Sequence, residues 1–156
     1  TLPLAHDGYR GGVNLRFIEL METGENRAYF DEHHLSGDVL VKRLLDGGWI
    51  EAVRDALGGP ARIWKHPAKG GSVGLIAPYS KDFCTTCNRL RVSAKGGLHL
   101  CLFGDGGHDL RPLLQHDSDK EKLKETICEL LDLKVAGHGL HYHNTGATPH
   151  FASIGG

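Results

Sequence analysis

Residues 83–101, FCTTCNRLRVSAKGGLHLC, constrain this chain more than any other stretch. Three of its four cysteines fall here, Cys84 and Cys87 as C-x2-C and Cys101 after thirteen further residues. Two thiols separated by two residues fold around a metal centre in a tight loop, and a third must return from further along the chain. The return path is legible as alternation. Leu90, Val92 and Ala94 alternate with Arg89, Arg91 and Ser93, the period of a half-buried strand. Beyond Lys95-Gly96-Gly97, Leu98, Leu100 and Leu102 alternate with His99, Cys101 and Phe103. A three-residue loop at 95–97, with one glycine left-handed, sets Ala94 against Leu98 and Val92 against Leu100. A two-residue loop would set leucines against arginines, because a one-residue slip inverts every side chain. In the favoured register Cys101 lies opposite Arg91, on the face that also carries Arg89. A centre held by the cysteines would then look onto two guanidiniums.

Three soft ligands leave the centre open to two readings. Structural zinc takes four closed ligands, usually Cys and His, and His99 is near enough in sequence to be the fourth. An iron–sulfur cluster is held by thiolates, normally four, so three would leave one iron open to a substrate atom. Spacing alone accommodates both. The plain alternative, three cysteines that are simply buried, fits a C-x2-C beside arginines poorly. Zinc would make the chain a non-catalytic module that binds a partner or a nucleic acid.

The runs RFIELMETGENR, HHLSGDVL, GLIAPYSKDFCTTCNRLRVSAKGGLHLCLFGDGGHDLRPLL and NTGATPHFASIGG resemble the C-terminal half of MoaA. That is the family of radical S-adenosylmethionine GTP 3',8-cyclases, lyases of molybdenum cofactor biosynthesis. The resemblance runs from about residue 13 to the end, and C-x2-C-N-R-L-R-x9-C with a terminal Gly-Gly is a specific combination. It implies an auxiliary 4Fe-4S cluster on Cys84, Cys87 and Cys101, whose open iron meets the purine of GTP. Arg89, Leu90 and Arg91 match the GTP-contacting triplet. Arg16 matches a residue facing the GTP phosphates, and Met21 one that contacts S-adenosylmethionine. Gly155 and Gly156 match a tail that enters the active site, a narrow path that glycine can follow without side-chain clashes. The fold implied is α/β: the C-terminal part of an incomplete (β/α) TIM-type barrel, then a mainly antiparallel α+β cluster-binding region. Residues 1–12 match nothing in the family and read as a tail or loop. Residues 13–48 read as the last strand and helix of the barrel, and 49–156 as the cluster and GTP region.

Composition narrows the rest. The 156 residues suffice for one domain with a sizeable core. A net charge of -1 and 40% hydrophobic residues advertise no nucleic-acid surface. No apolar run approaches the ~20 residues of a membrane span, and no signal-peptide pattern is present. Cysteines in a ligand-like motif suit a reducing compartment, so the expected location is the cytoplasm.

Along the chain, residues 15–21 read as a buried parallel strand carrying Arg16 and Glu19 towards a site. Ser36 caps a helix reaching Asp46, with Val39, Leu40, Val41 and Leu44 inward and Gly47-Gly48 closing it. His33 and His34 before it read as a solvated or capping pair. Residues 49–50, 61–65 and 72–77 read as short strands separated by turn-rich segments. Gly104-Asp105-Gly106-Gly107 lacks the G-x4-G-K-[ST] pattern and reads as a turn. Ser118-Asp119-Lys120-Glu121 is a capping box opening a helix with Leu123, Ile127, Leu130 and Leu131 on one face. Cys128 within it reads as a small core residue. His138, His141, His143 and His150 show no helical metal-binding pair, since Gly137 and Gly139 interrupt the run.

The sequence holds no C-x3-C-x2-C. In the resembled family that motif holds the cluster that cleaves S-adenosylmethionine, in an N-terminal half that this chain lacks. The resemblance therefore implies a partial enzyme, inactive alone, whose partners are GTP, the N-terminal half and a second copy as homodimer. Cyclic pyranopterin monophosphate synthase would act downstream. In the intact enzyme a deoxyadenosyl radical takes a hydrogen from the ribose of GTP, and the ribose carbon attacks C8 of guanine. This yields (8S)-3',8-cyclo-7,8-dihydroguanosine 5'-triphosphate.

Overall fold

The computed structural model describes residues 12–55, 58–85, 87–147 and 151–154. In chain order the elements are β1 (Asn14–Ile18), α1 (Arg27–His33), α2 (Gly37–Asp46), β2 (Ile50–Glu51), β3 (Arg62–His66) and β4 (Lys69–Ile76). Then follow β5 (Arg91–Val92), β6 (Gly97–His99), β7 (His108–Asp109) and α3 (Lys120–Leu131). The chain is mixed α/β, in two compact units: one holds β1, α2 and β2–β4, the other α1, β5–β7 and α3.

The first unit is a four-stranded sheet in the order β1-β4-β3-β2. β1 pairs parallel with β4, while β4, β3 and β2 are antiparallel, so the three short strands expected at 49–77 are present. The parallel pairing of β1 agrees with the sequence, but its burial does not. Among the described residues β4 is its one neighbour, so it is an edge strand, and all five of its residues are exposed. Arg16 pairs with Gly74, and a Cβ at Gly74 would meet Arg16 Cδ at 2.6 Å. A bare glycine lets the arginine stem lie across the strand.

α2 begins where the sequence placed it. The Ser36 hydroxyl accepts a hydrogen bond from the Asp38 amide, and the last turn is closed by the Gly47 amide on the Arg43 and Leu44 carbonyls and the Gly48 amide on the Leu45 carbonyl. Such a cap stabilises a helix by about 1 kcal/mol. Asp38 in the first turn and Arg43 in the last suit the helix dipole. Gly48 follows at φ 77°, a left-handed conformation that favours glycine. Leu44 enters the core formed with Trp64, Val73, Leu75 and Ala77, and Leu40, Val41 and Trp49 pack against it. Val39, expected inward, is exposed. Trp64 is fully buried and its indole Nε1–H has no hydrogen-bond partner among the described residues. The Arg62 guanidinium lies 4.9 Å from the centroid of that ring, a cation–π contact, and is anchored by two 2.7 Å bonds to Glu51.

In the second unit β5, β6 and β7 form an antiparallel sheet. The hairpin exists, but its register is two residues from the one expected: Arg91 pairs with His99 and Val92 with Leu98. The reason lies in Ser93. Its carbonyl accepts the Gly96 amide at 2.9 Å, its amide donates to the Gly97 carbonyl, and its hydroxyl accepts the Gly97 amide. The loop is therefore Ala94-Lys95-Gly96, with Gly96 the left-handed residue at φ 76°. A two-residue shift preserves faces, so Val92 still shares a side with Leu98. Of that face Leu98 is buried, while Val92 and Ala94 are exposed.

α3 differs from expectation at its start. A 3-10 turn at Asp117–Asp119 takes up Ser118, and Asp119 becomes the cap without a side-chain hydrogen bond. The capping box does not form. Leu123, Ile127 and Leu130 are half-buried, but Leu131 and Cys128 are exposed, so Cys128 is not a core residue. α1 had no sequence signal strong enough to be expected, and it buries Phe30.

Candidate metal centre

Two turns bring the cysteines to the hairpin. The C-x2-C turn is closed by the Cys87 amide donating to the Cys84 carbonyl at 3.1 Å, and the Thr85 hydroxyl donates to the Asp82 carbonyl at 2.8 Å. On the other arm the Cys101 carbonyl accepts the Gly104 amide, opening the 101–104 turn. Cys84, Cys87 and Cys101 are all half-buried and unoxidised.

Their electrostatics show that the three share one neighbourhood. Burial pushes the Cys84 thiol up; a backbone hydrogen bond from His138 counters this; the Cys101 and Cys87 thiolates push it up again; and the Lys134 ammonium pulls it down. Mutual repulsion among thiolates, relieved by a cation and a backbone donor, is what a bound cationic centre would exploit. No three His, Cys, Asp or Glu among the described residues are grouped tightly enough for a single metal ion. A multinuclear cluster asks for something different, since its thiolates bond different iron atoms. Three half-buried thiols flank the hairpin, one of them with a backbone N–H on its sulfur, and thiolates are the donors that an iron–sulfur cluster takes.

Cys101 also borders a cavity of about 370 Å³, lined with it by the Gly104-Asp105-Gly106-Gly107 turn, His108, Leu133 and Val135. The glycine-rich stretch is a turn leading into β7, as expected.

The arginines are placed differently from the sequence reading. Arg91 is half-buried opposite His99, not Cys101. His99 is held below its usual value by burial, then by Arg91 and His108. Arg89 and Leu90 lie outside β5 and are exposed. Because the ladder stops at Arg91, strand pleating does not carry Arg89 and Cys101 onto a common face. Neither Arg89 nor Arg91 forms an ion pair among the described residues. Arg27, Arg62 and Arg111 by contrast are committed to Glu22 and Asp31, Glu51, and Asp109. The arginines beside the cysteines are thus available to an external anion.

Sequence reasoning missed Lys134. Its ammonium donates to the Arg89 carbonyl at 2.7 Å and to the Leu100 carbonyl at 2.6 Å. A lysine just beyond a helix end is usually solvated, so sequence offered no signal. It also missed the frame around Met21. The Asn26 amide donates to the Met21 carbonyl and accepts the Thr23 amide. The next residue, Glu22, is buried, 2.7 Å from the His143 ring Nδ1 and 3.0 Å from Arg27. His143 sits at φ 58°.

Arg16 lies in the first unit and Met21 and the cysteines in the second. Gly155, Gly156 and His150 lie outside the described residues. Of the other histidines, His138 packs its ring on Phe83, Phe103 and His141. His33 stacks on Tyr29 and reaches its carbonyl at the end of α1, while His34 bonds the buried Glu19 carboxylate. No helix among the described residues is long and apolar enough to cross a membrane.

Comparison with known proteins places the chain in a family. The chain is 58% identical over 156 residues to a GTP 3',8-cyclase of Stenotrophomonas maltophilia strain K279a, covering 99% of this chain and 48% of that protein. It is 60% identical over 143 residues to the GTP 3',8-cyclase of strain R551-3, covering 92% and 44%. With the enzyme of the same name from Aeromonas hydrophila it shares 56% over 144 residues, 92% and 42%. The chain thus spans about half the length of the curated relatives it matches. Residues 13–140, which include all three cysteines and both arginines of the hairpin, match the family described as Molybdenum Cofactor Synthesis C, and the chain belongs to that family.

Proposed function

We propose that this chain is the part of a GTP 3',8-cyclase that holds an auxiliary 4Fe-4S cluster and positions GTP, in the first step of molybdenum cofactor biosynthesis. The observation that carries the reading is the shared neighbourhood of Cys84, Cys87 and Cys101, half-buried on two arms of one hairpin. These residues would hold the cluster. Bound there, it supplies an iron with an open position for the guanine base. Arg89 and Arg91 hold the anionic part of GTP, since guanidinium forks give charge-assisted bonds to phosphate oxygens. Leu90 between them offers an exposed apolar side chain to the ligand. By the family resemblance Arg16 is a phosphate-facing residue and Met21 a contact of S-adenosylmethionine.

The chain's contribution is positioning. Holding the ribose and the purine in one reactive geometry removes much of the entropy cost of ring closure. Radical generation belongs to the N-terminal half of the whole enzyme, whose barrel β1 and α2 would join. That enzyme converts GTP to (8S)-3',8-cyclo-7,8-dihydroguanosine 5'-triphosphate in the cytoplasm, as a homodimer, upstream of cyclic pyranopterin monophosphate synthase. GTP titration of the iron- and sulfide-loaded chain tests the reading. The expected result is saturable binding that the metal-free chain lacks. Equal affinity with and without the cluster, or none with it, contradicts the reading.

A further inference from the structure

The backbone ladder of the cysteine hairpin ends at Arg91 and His99, short of the metal ligands on both arms. Beyond it the carbonyls of Arg89 and Leu100 need donors, and strand pairing does not provide them. Lys134 does, at 2.7 and 2.6 Å. Arg89 lies two residues after Cys87, and Leu100 is the residue before Cys101. One ammonium therefore spans the gap between the two ligand-bearing arms. It is itself held, half-buried, by a turn that continues α3, with the Lys134 amide on the Leu131 carbonyl at 3.0 Å. A solvated surface lysine would place its charge in water; this one spends two of its three donors on backbone carbonyls.

We propose that Lys134 is a positioning residue: it clamps the Arg89 and Leu100 carbonyls and so sets the separation of the Cys87 and Cys101 arms, and the place of Arg89, for a cluster bound between them. The inference rests on the cluster reading above and deepens it. Its charge adds a second effect, since an ammonium held between the two ligand-bearing arms would favour the reduced, more negative form of a bound cluster. The clamp also ties the end of α3 to the centre, so that helix packing and ligand spacing are one structural unit.

The test compares the wild-type chain with Lys134→Met, which keeps the stem and loses the donors, and Lys134→Arg, which keeps a cation with donors. All are reconstituted anaerobically with iron and sulfide. The readouts are the rate of iron loss to a ferrous chelator, the reduction potential, and the thermal midpoint of the metal-free chains. The expected result is iron loss roughly tenfold faster in Lys134→Met, a lower potential, a near-unchanged metal-free midpoint, and substantial recovery in Lys134→Arg. A Lys134→Met chain with the wild-type release rate and potential overturns the clamp while leaving the cluster reading intact. Loss of cluster that follows a collapse of the metal-free midpoint in both variants, without rescue by arginine, also overturns it, since Lys134 would then be a folding residue. Wild type that takes up no iron and sulfide overturns the cluster reading, and this inference with it.

Discussion

Cys128 separates a ligand set from a mere count of thiols. It is exposed on α3, and its own field does not figure among those that shift Cys84. Cys128→Ala should therefore leave iron content unchanged, whereas Ala at Cys84, Cys87 or Cys101 should each strip most of it. Iron analysis after anaerobic reconstitution reads this directly, and loss of iron in Cys128→Ala would mean a different ligand set. The arginines call for a different measurement. A hydrogen bond to a charged group contributes roughly 1.5–3 kcal/mol, so Arg91→Ala should weaken GTP binding by about one to two orders of magnitude. Arg91→Lys should recover part of it, keeping the charge and losing the fork, with iron content unchanged in both. Unchanged GTP affinity in Arg89→Ala and Arg91→Ala alike would make both guanidiniums ordinary surface charges.

At the level of elements, the clearest prediction concerns Trp64. Among the described residues it is the largest fully buried side chain of the first unit, and its indole N–H finds no hydrogen-bond partner there. Trp64→Ala should cost about 3–5 kcal/mol through loss of packing. Trp64→Phe should cost far less, because it removes an orphaned donor whose burial costs about 1–3 kcal/mol. Urea unfolding of both variants checks it; equal losses would show that the N–H carries no penalty. Legibility in the sequence followed the range of the interactions. The start of α2 was readable because Ser36 acts on an amide two residues away. The hairpin was readable from alternation, but its register was not, since it turns on which of two adjacent glycines becomes left-handed and on a Ser93 hydroxyl bond. β1 is exposed in this chain because β4 is its one partner among the described residues, and apolar content does not reveal where a strand's second neighbour lies. α1 was missed because seven residues with one buried position make too short a pattern. The proximity of the three cysteines was legible from their spacing, whereas Lys134, 33 residues beyond Cys101, reaches the Arg89 and Leu100 carbonyls through contacts that sequence separation hides.

For the molecule as a whole, the proposed cluster is the substrate-side one of the intact enzyme. The sequence has no C-x3-C-x2-C, so the loaded chain with reductant and S-adenosylmethionine should form no 5'-deoxyadenosine above a protein-free control. Formation above that level would place a second cluster within these residues. The central claim, however, is the cluster on three cysteines, and its most direct test is elemental: iron, acid-labile sulfide and zinc per chain after anaerobic reconstitution, with the visible spectrum. About four irons and four sulfides per chain, with broad visible absorption, are expected. Stoichiometric zinc with neither sulfide nor that absorption would contradict it.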